Sequence, residues 1–138
     1  MAAITNYTTL LAAVADYLNR SDLTSYVPNF VQACEMKLYR DLRLRAMETA
    51  LSVTISSGVA AVPTSPAFLD LKFAYVNTSP VQSLDMVPPD QIYAKYPVRS
   101  GAAEIPQLIA VEGSNFIFGP YPGDYTVKGI YYAKLAPL

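Results

Sequence analysis

The spacing of apolar residues changes once along this chain, near Met47, from the three-to-four-residue period of a helix to the two-residue period of a strand. Before the change, Leu10, Leu11, Val14, Tyr17 and Leu18 recur so that they share one helix face. Thr5 or Asn6 can cap this helix, because either side-chain oxygen can accept from an orphan backbone N–H. Asn19-Arg20-Ser21-Asp22 is a polar break with turn chemistry. Pro28 then suits the first turn of a second helix, where its missing N–H would be unpaired anyway. Val27, Phe30, Val31, Cys34, Leu38 and Leu42 make its apolar stripe, with Cys34 read as a core residue. The two stripes predict a helical hairpin.

After the change, Leu51, Val53 and Ile55 alternate with Ser52, Thr54 and Ser56, as in a strand with one wet face. Ser57-Gly58 reads as a turn and 59–62 as a short returning strand. Pro63 and Pro66 interrupt it. Leu69, Leu71, Phe73 and Tyr75 alternate with Asp70, Lys72 and Ala74 in the clearest strand of the chain. A further strand is expected over 81–87, then a short helix opened by Pro89, and a loop from Pro97 to Pro106. Strands near 108–111 and 116–119 flank the turn Glu112-Gly113-Ser114-Asn115, and the last strand spans 125–133. Tight turns without crossover helices argue for antiparallel pairing. The expected fold is α+β: an N-terminal helical hairpin packed on an antiparallel β-sheet or sandwich domain with one short inserted helix. The helical segment is placed at 1–46 and the β segment at 47–138, folding as one cooperative unit.

The chain has no histidine, which removes Ser-His-Asp and Cys-His arrangements and most zinc sites. No Gly-rich phosphate loop is present, and the carboxylates are scattered rather than paired or spaced for calcium. No enzyme activity, catalytic residue, metal or cofactor is therefore expected. The lone cysteine rules out an intrachain disulfide and fits a reducing compartment. Asp16 and Arg20 break the N-terminal apolar run, which does not read as a signal peptide, and no run approaches membrane-spanning length.

Two surface features remain. Lys37, Arg40, Arg43 and Arg45 crowd the end of the second helix. Cations there offset the helix macrodipole; the same group is a candidate contact for DNA or an acidic partner. Net charge is −1, so strong sequence-independent DNA binding is not expected from charge alone. Eleven tyrosines, and no tryptophan, form the second feature. Tyr121, Tyr125, Tyr131 and Tyr132 are candidate interface residues, since a tyrosine ring packs while its hydroxyl stays paired; ordinary strand propensity is the plainer explanation. Only 15% of residues are charged, against about a quarter in a typical soluble domain, which leaves room for a partner-covered surface.

Taken in order, several short blocks resemble the head-completion or adaptor proteins that sit beneath the portal of short-tailed phages and prophages. Glu35, Leu38, Arg40, Leu42 and Arg43 occupy one block, Pro66 to Tyr75 a second, Pro106 to Pro122 a third and Tyr131 to Leu138 the last. The resemblance implies a non-enzymatic, virion-borne link at the head–tail junction, made in the bacterial host cytoplasm. Its partners would be the portal protein, a tail or nozzle protein and further copies of itself, in a ring typically of twelve subunits. Double-stranded DNA would pass through without sequence specificity, and no membrane would be involved. The family's chains usually continue past the position of Leu138 into a helical segment, so the first two helices are expected to be under-covered in a chain that stops there. A phage tail-associated carbohydrate- or receptor-binding module is the competing reading, and it places recognition on Tyr121 and Tyr125.

Overall fold

The structure, a computed structural model, describes residues 3–56, 59 and 61–137; the expected Ser57-Gly58 turn lies outside them. The chain divides into two compact units. One runs to Arg43 and takes in the chain again from Leu135; the other is Leu44–Lys134.

The helical unit holds α1 (Tyr7–Leu18), a 3-10 turn (Ser21–Tyr26) and α2 (Val27–Asp41). Asn6 caps α1 by accepting from the Thr9 backbone N–H at 2.9 Å, and Thr9 Oγ1 accepts from the Asn6 N–H at 3.0 Å. This reciprocal pair satisfies two of the donors that a helix start leaves open. Asn19 ends α1 in the left-handed conformation (φ 47°) that asparagine tolerates best after glycine. The polar break after it winds directly into the 3-10 turn, so little chain separates the helices. Within the described residues of this unit only Ala13 and Val27 are buried. The α2 stripe emerges into solvent beyond Val27, and Cys34 is exposed rather than a core residue. The periodicity is helical as read, but most of the stripe is left exposed.

The β unit is a seven-stranded sheet in the order β1-β7-β3-β4-β5-β6-β2. The strands are β1 (Glu48–Ile55), β2 (Ala61–Pro63), β3 (Phe68–Val76), β4 (Gln82–Met86), β5 (Leu108–Glu112), β6 (Asn115–Gly119) and β7 (Tyr125–Ala133), with α3 (Pro89–Lys95) between β4 and β5. The α+β class and the inserted helix are as expected from the sequence. The sheet is mixed, however, and not wholly antiparallel: Asp85 and Met86 of β4 run parallel to Leu108 and Ile109 of β5. Parallel neighbours need a crossover of a dozen or more residues, and α3 with its following loop supplies it. The strand expected to return along β1 pairs instead with β6.

Alternation in β3 is broken by irregularities between Phe68 and Asp70 and between Leu71 and Phe73. A bulge inserts one residue and reverses which side chains face the core. Leu71 points inward, but past the second bulge Ala74 and Val76 are the buried ones, while Phe73 lies exposed and stacks beside Tyr75 at 6.5 Å. Beyond this bulge the β3 backbone lies close against Gly129 of β7. A Cβ on Gly129 would meet the Phe73 carbonyl oxygen and lie 2.8 Å from Ala74 Cα, so only glycine fits.

The main core joins Leu51, Ile55, Val76, Phe116, Phe118 and Val127 with their neighbours. Full burial of a side chain of this size is worth about 1.5–3 kcal/mol. Ile92 of α3 packs on the opposite face of β5 and β6 against Ala110 and Ile117. Those two strands are thus buried on both faces, which is why they read as continuous apolar runs.

Candidate functional site

The surface of α2 carries the apolar stripe and part of the basic group read in the sequence. Val27 is sealed, whereas Phe30 is 50% exposed, Leu38 48% and Leu42 41%, with Cys34 exposed between them. Met36, on another side of the same helix, is 67% exposed. On α1, Tyr17 lies almost wholly in solvent. Isolated helices of this length draw most of their stability from packing an apolar face, and little of this face is packed within the chain.

Lys37 and Arg40 lie one turn apart on α2, both exposed. Arg40 reaches Asp41 at 3.4 Å, an exposed ion pair of negligible worth. Arg43 is engaged differently. Its guanidinium donates to the carbonyl oxygens of Tyr39 and Leu42 at 2.6 and 3.0 Å, closing the end of the helix. Tyr39 Oη donates in turn to the Leu135 carbonyl oxygen at 3.2 Å, fastening the chain after β7 within the helical unit. Arg45 belongs to the β unit, on a 3-10 turn (Arg45–Met47) ahead of β1. Lys37, Arg40 and Arg43 therefore share one unit, and Arg45 stands in the other.

The four tyrosines do not form one patch. Tyr125 and Tyr131 pack against the main core, Tyr131 stacking on Phe68 at 5.6 Å. Tyr132 is on the other face of β7, opposite Glu48 and Asp70. Tyr121 sits in the turn between β6 and β7, where its carbonyl accepts from the Glu104 N–H at 3.0 Å. Near Tyr132, Lys72 Nζ bonds Glu48 Oε1 at 2.6 Å, and this bond holds the Lys72 ammonium above its ordinary pKa.

Sequence reasoning missed two groups. The outward Phe73–Tyr75 pair was hidden by the bulge, which has no composition signal. Arg99 falls in a stretch whose sequence signals only a loop; its guanidinium donates to the Phe118 carbonyl oxygen at 2.6 Å and lies 5.7 Å from the centre of the Tyr93 ring.

Among the described residues no helix is long and apolar enough to cross a membrane, and no three metal-ligating side chains gather. A comparison with curated proteins returned no match. The SU10 adaptor protein family matches residues 5–138. That span includes all four blocks on which the phage-adaptor resemblance was read, and the resemblance holds: the chain belongs to the SU10 adaptor protein family.

Proposed function

We propose that this phage adaptor docks beneath the portal as a ring, extends the DNA channel and joins head to tail, without catalysis. The observation that carries this reading is the α2 stripe: Phe30, Leu38 and Leu42 are roughly half exposed in a helical unit that buries almost nothing of its own. Burial of such side chains against a portal or a neighbouring copy stabilises assembly in proportion to the apolar area removed from water. Lys37 and Arg40 beside the stripe suit an acidic rim on that partner, and their exposure leaves them available for it. The near-neutral charge of the chain suits a channel through which DNA slides without being held.

The test is binding of the chain to purified portal rings of the same phage, imaged by negative-stain electron microscopy. The reading expects added density at one end of the portal with the portal's own symmetry. Bare portals, with the chain also extended past Leu138, would overturn it.

A further inference from the structure

The two outer strands of the sheet, β1 and β2, line the same cavity. It measures about 140 Å³ and is bounded by Ala50 to Val53 of β1, by Pro63 and Ser65 on the β2 side, and by Phe68, Phe116 and Tyr131 at its base. The base is held in shape by ring contacts: Phe68 meets Phe116 edge-on at 5.3 Å and stacks on Tyr131 at 5.6 Å. All of these residues lie within the β unit.

β1 pairs with β7 along all eight residues from Glu48 to Ile55, and among the described residues no strand pairs with its other edge. In an antiparallel ladder alternate residues direct their N–H and C=O groups away from the partner. β1 therefore directs alternate N–H and C=O groups into the seam, and among the described residues no strand takes them up. Natural edges are commonly blunted by lysine, proline, a bulge or short length. β1 has no lysine or proline, keeps an unbroken register with β7 and is among the longer strands of the sheet. β2 is the opposite: three residues long, with Pro63 unable to donate. The template is β1, and β2 is the far wall.

We propose that this seam receives an extended segment of a partner protein, added as a strand on β1, uncharged and inserting one aromatic or large aliphatic side chain into the cavity. Each part of that description comes from the site. The row of backbone groups selects main chain in the extended conformation, the mode in which peptides add to sheet edges. The lining holds no charged side chain, so a charged segment would be desolvated without compensation. The volume matches cavities of about 150 Å³ that take up a benzene ring. A second copy joining edge to edge would bring a whole sheet into a gap whose other wall is β2, which favours a single strand. The inference goes beyond the adaptor role and does not depend on it.

The probe is an acetylated, amidated heptapeptide of alternating threonine and valine with phenylalanine at its centre, titrated into the ¹⁵N-labelled full chain. Amide shifts and slowed exchange confined to residues 49–54, 61–65, 116 and 131 are expected. Replacing the central phenylalanine by lysine, or N-methylating alternate peptide amides, should each weaken binding at least about tenfold. Ala50→Lys, a substitution at an exposed edge position, should abolish it while the remaining amide spectrum stays in place. No perturbation at about 1 mM peptide would overturn the proposal, that concentration corresponding to a binding free energy of only about −4 kcal/mol. Shifts centred outside the seam, or equal binding by the N-methylated peptide, would overturn it as well.

Discussion

The Arg43 guanidinium donates to the Tyr39 carbonyl oxygen at 2.6 Å, reaching back over the last turn of α2. A cation at this end of a helix both meets the macrodipole and satisfies a carbonyl that has no intrahelical donor. Arg43→Ala should therefore cost about 0.3–1 kcal/mol and quicken amide exchange in the last turn of α2. Arg40→Ala should stay within about 0.5 kcal/mol, since its pairing with Asp41 is exposed. Equal effects from the two substitutions in chemical denaturation would show that Arg43 has no special capping role.

Gly129 permits a close approach of β3 to β7. Any Cβ there meets backbone, and backbone in the middle of a ladder cannot step aside. Gly129→Ala should destabilise by about 3 kcal/mol or prevent folding. Gly113 offers the comparison, because its Cβ would enter open space and only its left-handed φ of 60° resists substitution. Gly113→Ala should cost about 1–2 kcal/mol. Thermal melts of the two variants distinguish steric exclusion from backbone preference.

The long connection after α3 is tied to the sheet by the bond from Arg99 to Phe118 O. Arg99→Ala leaves that strand carbonyl without its charged donor and should destabilise by about 1–3 kcal/mol. Hydrogen exchange should rise first over residues 97–107. Unchanged protection there would assign the loop's order to other contacts.

Tyr93 Oη donates to Glu112 Oε2 at 2.8 Å, and this bond raises the phenol pKa above the ordinary tyrosine range. The neutral phenol is the donor, so the folded state keeps its proton longer than the unfolded chain does. The contribution of the bond is full below the ordinary tyrosine value of about 10 and is lost as pH rises through the raised folded value. The ¹³C-detected titration of Tyr93 should move back toward the ordinary value in Glu112→Gln.

Much of the architecture follows from periodicity alone. The helices, the inserted helix behind Pro89, and the hairpin around Gly113-Ser114 lie close to where the residues place them, because each is governed by local spacing and turn chemistry. What escaped is non-local. Whether 61–63 turns back on β1 or crosses to β6 depends on partners more than fifty residues away. The parallel join of β4 to β5 depends on how the chain around α3 returns. The β3 bulge shows the limit most directly: Leu71, Phe73 and Tyr75 form one alternating series on paper, and a single unpaired residue sends the last two to the opposite face. Cys34 escaped for another reason, since an apolar stripe specifies a helix face to be covered without specifying what covers it. The basic residues were visible, but their division between capping and exposed surface needed coordinates.

Glu48 at the start of β1 lies opposite Tyr132, near the end of β7. The β unit thus opens and closes at neighbouring points, while the chain before and after it belongs to the helical unit. In connectivity the sheet is a cassette spliced into a helical host. Any replacement of the sheet would cross only two chain junctions, one after Arg43 and one before Leu135. Two covalent crossings, rather than one, therefore tie the sheet to the helices, so neither end of the β unit is a free terminus.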